Sequence, residues 1–264
     1  MKICLDAGHY GKYNPGVVKG YYEAEMNWKL HNLLKKYLEE YGVEVTQTRS
    51  DQKKDLGLTA RGQKANGCDL FLSIHSNGCD KESVDYPVVY VPINGSGTKL
   101  GDKLAKCIET TMGTKQKGRA ATRKSDNGNW DYYSVIYGAV SVGVPGLILE
   151  HSFHTNNKAC KWLMDDSNLD KMAKAEADVI AEHYCLQKKD EEKKVIYRVQ
   201  VGAFSVKKYA EAYLKEVKAA GFDAILVYNN KMYKVQVGAF SIKKNADAYL
   251  EKVKKAGFDA FITK

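Results

Sequence analysis

Apolar residues recur with two periods along this chain, and the periods predict its elements. Short apolar runs typical of buried strands lie at 3–5, 43–45, 70–74, 88–91 and 147–149. Between these runs the apolar residues recur at helical spacing, which predicts helices over 26–41, 59–66, 98–112 and 169–184. Strands that alternate with helices predict an α/β domain, built on a mostly parallel, twisted sheet with helices on both faces.

The C-terminal part of the chain is an internal repeat. The segment YRVQVGAFS at 197–205 returns as YKVQVGAFS at 233–241, and 21 of the 32 pairs between 197–228 and 233–264 are identical. Each copy has a period-two strand, an amphipathic helix and a second strand. Two copies are too few for a solenoid. They predict a small α+β domain of βαββαβ order, with both helices on one face of a four-stranded sheet.

A charge step separates the two parts. The charged stretch QKKDEEKK at 187–194 predicts a linker between domains at 1–186 and 195–264. Residues 1–186 hold 24 basic and 23 acidic residues and so contribute little to the net charge of +9. Residues 187–264 hold 17 basic and 9 acidic residues. The C-terminal domain therefore either meets an acidic partner or is kept in solution by its charge.

Composition narrows the class of protein. With 44% apolar and 28% charged residues the chain is a globular protein, and its apolar runs are too short for a membrane span. The six cysteines are scattered without a CxxC pair, which favours free thiols made in a reducing compartment. The opening MKICLD lacks the pattern of a signal peptide, so we expect synthesis in the cytoplasm.

Residues that suit a metal site follow three of the predicted strands. His9, His75 and Glu150 each come after a buried strand, and Glu23 stands just before the first long helix. Ligands of such sheets collect at the strand ends. Two imidazoles and one carboxylate, with a position left for water, form a recurrent catalytic zinc site, and a further carboxylate can act as general base. The pattern predicts a zinc hydrolase.

Neighbouring residues compete for the same roles. His151 and His154 follow Glu150 closely, and Glu25 stands two residues after Glu23. Residue type and spacing leave these alternatives open. Glu150 remains the strongest candidate, because a carboxylate directly after a buried strand is costly unless it is paired or functional.

These residues stand in an order that resembles a known family. The motifs are DAGH at 6–9, EAEMN at 23–27, TRSD at 48–51, LTAR at 58–61, SIHSN at 73–77 and PGLILEHSFHTN at 145–156. Together they resemble the zinc-dependent N-acetylmuramoyl-L-alanine amidases of the Amidase_3 type over most of residues 2–184. The chain departs from the family at Tyr10-Gly11, where paired glycines are usual, and His151 and His154 crowd the Glu150 motif.

The resemblance implies both a reaction and a site. The reaction is hydrolysis of the amide between the MurNAc lactyl group and L-Ala of the peptidoglycan stem peptide. The resemblance implies Zn²⁺ at His9, Glu23 and His75, with Glu150 as the catalytic base, and it favours Glu23 over Glu25. Three further residues are expected to support the site. Asp6 is expected to fix the His9 turn, Asn77 is expected to contact substrate, and His154 either contacts substrate or packs.

The repeat resembles the SPOR domain, whose halves often carry a VQVGAF core and which binds peptidoglycan glycan stripped of its peptides. Alternation puts four valines, at 199, 201, 235 and 237, on one side of the strands. If these valines pack under the helices, the other side must face solvent. We predict that this side binds glycan through Arg198, Gln200, Lys234 and Gln236.

Three other functions compete with a wall amidase. A zinc peptidase would cut within the stem peptide, and a wall-binding protein would carry an inactive site. An RNA-binding role would use the same βαββαβ topology, but the exposed aromatic pair of that fold is not evident in either repeat, so no nucleic acid is expected. The sequence leaves open a phage endolysin or a host autolysin and the oligomeric state. Without a signal peptide, we expect release to the wall through a holin or cell lysis.

Overall fold

The structure, a computed structural model, describes residues 1–52, 55–188 and 196–264. The chain divides into two compact units, Met1–Lys189 and Asp190–Lys264. The division falls within the predicted linker at 187–194, most of which lies outside the described residues. The boundaries at 186 and 195 therefore stay predictions, and each unit is described by itself.

The first unit is built on one six-stranded sheet. Its strands are β1 (Lys2–Ala7), β2 (Glu44–Gln47), β3 (Leu70–Asn77), β4 (Val88–Tyr90), β5 (Arg119–Ala121) and β6 (Gly146–Phe153). They lie in the order β2-β1-β3-β6-β4-β5. Neighbours pair in parallel except β4, which runs antiparallel to β6. The predicted mostly parallel sheet is confirmed.

Helices cover both faces of this sheet. They are α1 (Glu23–Glu40), α2 (Leu58–Gln63), α3 (Thr98–Met112), α4 (Ser134–Ser141), α5 (Asn157–Leu163) and α6 (Asp166–His183). On one face Leu34 of α1 and Ile108 of α3 pack with the strand residue Leu149, and on the other Ile136 of α4 packs with Phe71. In the part of the chain that the structure describes, no helix is long and apolar enough to cross a membrane.

The sequence pattern missed three elements, β5, α4 and α5. Helix α4 has the sequence SVIYGAVS, in which β-branched residues and a glycine lower the intrinsic helix propensity. Its contact with α2 explains why it forms. A Cβ added at Gly62 would lie 2.1 Å from the carbonyl oxygen of Val135, and one at Gly138 would lie 2.2 Å from that of Thr59. Only glycine at both positions lets the two helices approach this closely.

The second unit has a four-stranded antiparallel sheet. Its elements are β7 (Tyr197–Phe204), α7 (Lys207–Ala219), β8 (Ile225–Asn229), β9 (Met232–Phe240), α8 (Lys243–Lys255) and β10 (Phe261–Thr263). The strand order is β10-β7-β9-β8. The predicted valines are buried at 0–5% exposure and pack with Val217 of α7 and Val253 of α8. The predicted βαββαβ domain is confirmed.

The opposite face of this small sheet corrects one prediction. Arg198, Gln200, Lys234 and Gln236 do line one shared depression. Gln200, however, is only 5% exposed and its side-chain amide donates to the carbonyl oxygen of Gly202 at 3.2 Å. The pairing of β7 with β9 is irregular on both sides of Gln200, so strict alternation does not hold there. Gln200 is a structural residue of this face rather than an exposed one.

The glycine contact of α2 with α4 generates a stability prediction. Gly62→Ala should lower the free energy of unfolding by about 1–3 kcal/mol, because the added methyl group forces the two backbones apart. The control is Gly57→Ala, where an added Cβ meets nothing within 4 Å. Urea unfolding followed by circular dichroism measures both. Equal stabilities of the two variants would contradict the close contact.

Candidate active site

The candidate site lies where β1, β3 and β6 carry their polar residues to one edge of the sheet. His9 follows β1, His75 lies near the end of β3, and Glu150 is its direct partner on β6. Glu23 is the first residue of α1, whose N-terminus reaches the same edge. The parallel pairing of the three strands therefore brings together residues that are far apart in sequence.

His9, Glu23 and His75 form one cluster. One Glu23 carboxylate oxygen, Oε2, lies 3.4 Å from Nε2 of His9, and the other, Oε1, lies 2.9 Å from Nδ1 of His75. One ligand atom from each residue lies within 4.8 Å of the others. Among the described residues, no other group of three or more His, Cys, Asp or Glu side chains meets this criterion.

The turn that carries His9 is strained and braced. His9 has a φ of +58°, a backbone conformation that non-glycine residues rarely adopt. The Arg49 guanidinium donates to the carbonyl oxygens of Ala7 and His9, at 3.2 and 2.8 Å, and lies over the ring of Trp28. Gly8 completes the turn, because a Cβ there would lie 2.2 Å from the His75 ring. The backbone is thus fixed around the two histidines.

Charges within the cluster follow from burial and pairing. Burial acts against ionisation of Glu23, yet the hydrogen bond and charge of His75 outweigh it and lower the Glu23 pKa to about 2. Burial likewise opposes the charged form of His75, and Glu23 reverses the effect, so the His75 pKa rises to about 9. Burial lowers the pKa of His9 to about 4. Without a metal, the cluster at neutral pH is a Glu23–His75 ion pair beside a neutral His9.

Glu150 is buried beside this cluster and keeps one free oxygen. Its side chain is 9% exposed, and Oε2 is buried without a hydrogen-bond partner. Burial raises the Glu150 pKa to about 7, although the charge of His75 acts in the opposite direction. A carboxyl group that exchanges a proton near neutral pH is suited to general acid and base catalysis.

A bulge follows Glu150 on β6. His75 pairs with Glu150 but Asn77 pairs with Phe153, so β6 holds one extra residue. Ser152 within the bulge has a φ of +57° and donates to Asp85 at 2.8 Å. Bulges beside active sites re-aim side chains and are designed features rather than defects.

The bulge turns His151 away from the site. His151 is fully buried, with Nε2 2.7 Å from Oε1 of Glu176 on α6 and Nδ1 2.9 Å from the carbonyl oxygen of His75. Since a carbonyl oxygen only accepts, Nδ1 must carry a proton. His151 is therefore no competitor for the metal, and it holds the backbone of His75 in place.

The structure corrects the role predicted for Asp6. Asp6 is fully buried and accepts hydrogen bonds from Thr48 at 2.6 Å and Ser73 at 2.7 Å. Ser73 in turn lies 3.1 Å from Nε2 of His75. Asp6 thus reaches the site through Ser73 and His75, while the His9 turn is held by Arg49 instead.

The structure shows where the remaining candidates lie. His154 is 7% exposed and packs between the ring of Tyr21 and Ser76, and its contact with substrate stays a prediction. Asn77 is half-buried, and its side-chain oxygen accepts from the Gly78 amide. Its substrate role stays a prediction. Glu25 lines a separate depression away from the histidines, which leaves Glu23 as the clustered carboxylate.

Sequence reasoning missed several residues that shape the site. Asn14 donates to Glu23 Oε2 at 2.6 Å. Glu176 on α6, 25 residues after His151 in the sequence, pairs with that histidine. Neither residue lies in a motif that the sequence analysis singled out. Arg49 stood in a recognised motif, but nothing in the sequence indicated that it braces the His9 turn.

The donor set fits a zinc ion. Zinc binds imidazole nitrogen and carboxylate oxygen, and its ligands must be deprotonated on binding. Glu23 is ionised and His9 is neutral, as such ligands must be, whereas His75 must lose its proton when the metal binds. The partnerless Glu150 oxygen beside the cluster is suited to bind a water or a substrate group.

Comparison with known proteins finds a family for each of the two units. Residues 3–182 match the family described as N-acetylmuramoyl-L-alanine amidase. The chain belongs to the N-acetylmuramoyl-L-alanine amidase family. Residues 193–264 of this amidase match the SPOR domain. The chain is a peptidoglycan amidase, and its SPOR domain directs it to the cell wall.

Individual relatives agree with this assignment. The chain is 30% identical to the N-acetylmuramoyl-L-alanine amidase CwlM of Bacillus licheniformis, over 87% of this chain and 86% of the relative. It is also 30% identical to the sporulation-specific N-acetylmuramoyl-L-alanine amidase of Bacillus subtilis, over 86% and 84%. The CwlV catalytic domain of Paenibacillus polymyxa superimposes with a TM-score of 0.60 at 23% identity, over 70% of this chain and 99% of that one, which shows the shared fold.

Burial of Glu150 generates a pH prediction. Since its folded pKa is raised from 4.5 to about 7, the proton on Glu150 stabilises the metal-free protein below pH 4.5. This stabilisation is lost as the pH rises through 7. Glu150→Gln cannot lose this proton. The free energy of unfolding of the variant, minus that of the wild type, should therefore increase by about 1–3 kcal/mol from pH 4.5 to pH 8.

Urea unfolding in the presence of a chelator measures this difference. The control is Glu25→Gln, which removes a half-buried carboxylate outside the cluster. A Glu150→Gln effect of the same size at both pH values would contradict the raised pKa.

Proposed function

We propose that this chain is a zinc-dependent amidase in which His9, Glu23 and His75 hold the metal and Glu150 is the catalytic base. The single observation that carries the proposal is the convergence of these four residues at one sheet edge, with the ligand atoms of three of them within 4.8 Å. The donor set is two imidazoles and one carboxylate, which is a recurrent set at catalytic zinc sites. Family membership supports the same assignment.

The residues of this chain have distinct tasks in the reaction. Zinc bound at the cluster would act as a Lewis acid toward the scissile lactyl carbonyl and would lower the pKa of a bound water. Glu150 accepts the proton of the attacking water and delivers it to the nitrogen of the leaving L-Ala. Its raised pKa suits both steps, since it can hold and release a proton near pH 7.

The surroundings keep these groups in position. Asn14 and the backbone amide of Ser76 donate to the two oxygens of Glu23, at 2.6 and 3.1 Å. The Arg49 and His151 side chains fix the backbones of the two histidines. Little reorganisation is therefore needed when substrate binds.

For the SPOR domain we propose that it binds the product of the amidase. Removal of the peptide leaves a free lactyl carboxylate on each MurNAc, so a stripped strand is a row of negative charges. The depression on the face opposite the helices brings together three cations, Arg198, Lys234 and Lys264, beside the amide of Gln236. Opposite charge across such a surface favours association and weakens with salt.

Substitution of one ligand and of the base tests the catalytic proposal. His75→Ala should lose both bound zinc and activity. Glu150→Ala should keep the zinc and lose activity about 10²–10⁴-fold, because only the proton transfer is removed. Metal analysis of the purified variants and release of new L-Ala amino termini from sacculi measure the two quantities.

A matched histidine outside the site serves as the control. His183→Ala, at the end of α6, should keep both metal and activity. Near-normal wall lysis by Glu150→Ala would contradict the assignment of Glu150 as the catalytic base. New amino termini other than L-Ala would instead indicate a peptidase that cuts within the stem peptide.

The SPOR proposal is tested in the Glu150→Gln background, so that the protein does not digest its own target. The double variant Arg198→Gln/Lys234→Gln should bind amidase-digested sacculi about 2- to 30-fold more weakly, since each exposed ion pair contributes about 0.2–1 kcal/mol. The control is Lys208→Gln/Lys244→Gln, an equal change of charge at repeat-related positions on α7 and α8. Equal binding of digested and undigested sacculi by the parent protein would show a general wall anchor.

A further inference from the structure

The segment between β5 and α4, residues 122–133, forms a closed arm. Its two sides are joined by backbone hydrogen bonds, from Ser125 to the carbonyl oxygen of Trp130 at 2.9 Å and from Tyr132 to that of Arg123 at 2.9 Å. The Ser125 hydroxyl also accepts from the Trp130 amide at 3.3 Å. The arm thus has a defined shape.

Large aromatic side chains stand exposed on this arm and on the helix beside it. Trp130 is 55% exposed, Tyr132 is 45% exposed, and Tyr137 of α4 is 37% exposed. The rings of Trp130 and Tyr137 meet edge to face at 5.7 Å, and the Arg123 guanidinium lies 3.5 Å above the Tyr132 ring. Scattered exposed aromatics need no explanation, but a contiguous exposed patch is typical of a binding surface.

The arm is joined to the catalytic base through two tyrosines. The ring of Tyr133 lies 4.5 Å from that of Tyr90, and the Arg123 guanidinium lies 5.9 Å from the centre of the Tyr133 ring. Tyr90 pairs with Ile148, two residues before Glu150 on the neighbouring strand. Val88, on the same strand as Tyr90, pairs directly with Glu150. The arm therefore borders the Glu150 side of the site.

The chain that leads into the arm is strongly basic. Residues 115–124 carry five cations and no carboxylate, and two of the cations lie in the arm itself. The arm also holds two carboxylates, the exposed Asp126 and the buried Asp131, which accepts from the Ile93 amide. The five cations are Lys115, Lys117, Arg119, Arg123 and Lys124, and all are exposed. Such a stretch favours an anionic ligand over a neutral one.

We propose that the arm binds the stem peptide of the substrate. The inference rests on the proposed function, because Glu150 protonates the leaving L-Ala nitrogen and the peptide must depart on the Glu150 side. Charge distinguishes the two halves of the substrate. The sugar rings are uncharged, whereas the peptide ends in a carboxylate. Arg123 and Lys124 pair with peptide carboxylates, and Trp130 and Tyr132 pack against its aliphatic side chains.

Soluble substrates of different peptide length test this directly. Full-length wild type and variants are compared on MurNAc-dipeptide and on MurNAc-tetrapeptide. Trp130→Ala and Arg123→Gln should each raise KM for the tetrapeptide substrate about 3- to 10-fold, a loss of about 0.7–1.4 kcal/mol. The increase in KM should be smaller on the dipeptide substrate, because the shorter peptide makes fewer contacts with the arm. Trp130→Phe should retain most of the tetrapeptide affinity, because it keeps an aromatic ring.

Controls separate local from general effects. Tyr209→Ala removes an aromatic residue of the second unit that is 64% exposed, and Lys174→Gln removes an exposed cation on α6. Neither should change KM on either substrate. Equal losses of the arm variants on dipeptide and tetrapeptide would overturn the proposal in favour of a structural role. Increases in KM that grow with glycan length instead of peptide length would overturn the proposal and show that the arm binds the glycan.

Binding of free tetrapeptide to the Glu150→Gln protein separates this inference from the proposed function. The parent should bind the peptide, and Arg123→Gln in the same background should bind it more weakly. If the wild type released no L-Ala amino termini, the proposed function would fail while this measurement still reported on the arm. Normal release combined with equal peptide binding by both proteins would refute the arm alone.

Discussion

The structure of the site depends on one buried carboxylate. Glu23 is 1% exposed, and an ionised group at that depth is tolerated only when it is paired and hydrogen bonded. Its partners come from three segments, namely Asn14 in the loop after β1, Asn27 one turn further along α1, and His75 with Ser76 on β3. Satisfying Glu23 therefore fixes the loop, the helix and the strand relative to one another. The same contacts hold the two histidines within reach of one ion.

Burial gives the second carboxylate the opposite behaviour. Glu150 lies beside the same cluster, but its Oε2 has no partner, so burial raises its pKa to about 7 whereas the Glu23 pKa falls to about 2. Two glutamates at one sheet edge thus differ in role because they differ in hydrogen bonding. One is suited to remain a ligand, and the other is suited to exchange a proton.

The second unit leaves one face of its sheet uncovered by a simpler rule. Its repeat puts valines toward the helices and polar residues toward the other side, and the sheet leaves that side uncovered. The exception is Gln200, which the irregular pairing of β7 with β9 buries and ties to Gly202. The cations that line the depression on this face are Arg198, Lys234 and Lys264.

Much of this protein was determined by its sequence alone. The period of the apolar residues predicted a mostly parallel α/β unit, because burial of one face is a local property of the pattern. The repeated sequence at 197–228 and 233–264 predicted the βαββαβ unit. The position of His9, His75 and Glu150 after strands predicted a shared edge, since parallel strands end together.

Tertiary structure decided what no local pattern encodes. Helix α4 forms against its own propensity because Gly62 and Gly138 let it approach α2. Asp6 serves His75 rather than the His9 turn, His151 faces Glu176 rather than the site, and these outcomes follow from a bulge and from contacts between residues distant in sequence. Such contacts depend on which backbone donors and side chains become neighbours after folding. That is why the sequence could name the chemistry of the site but not all the residues that hold it in place.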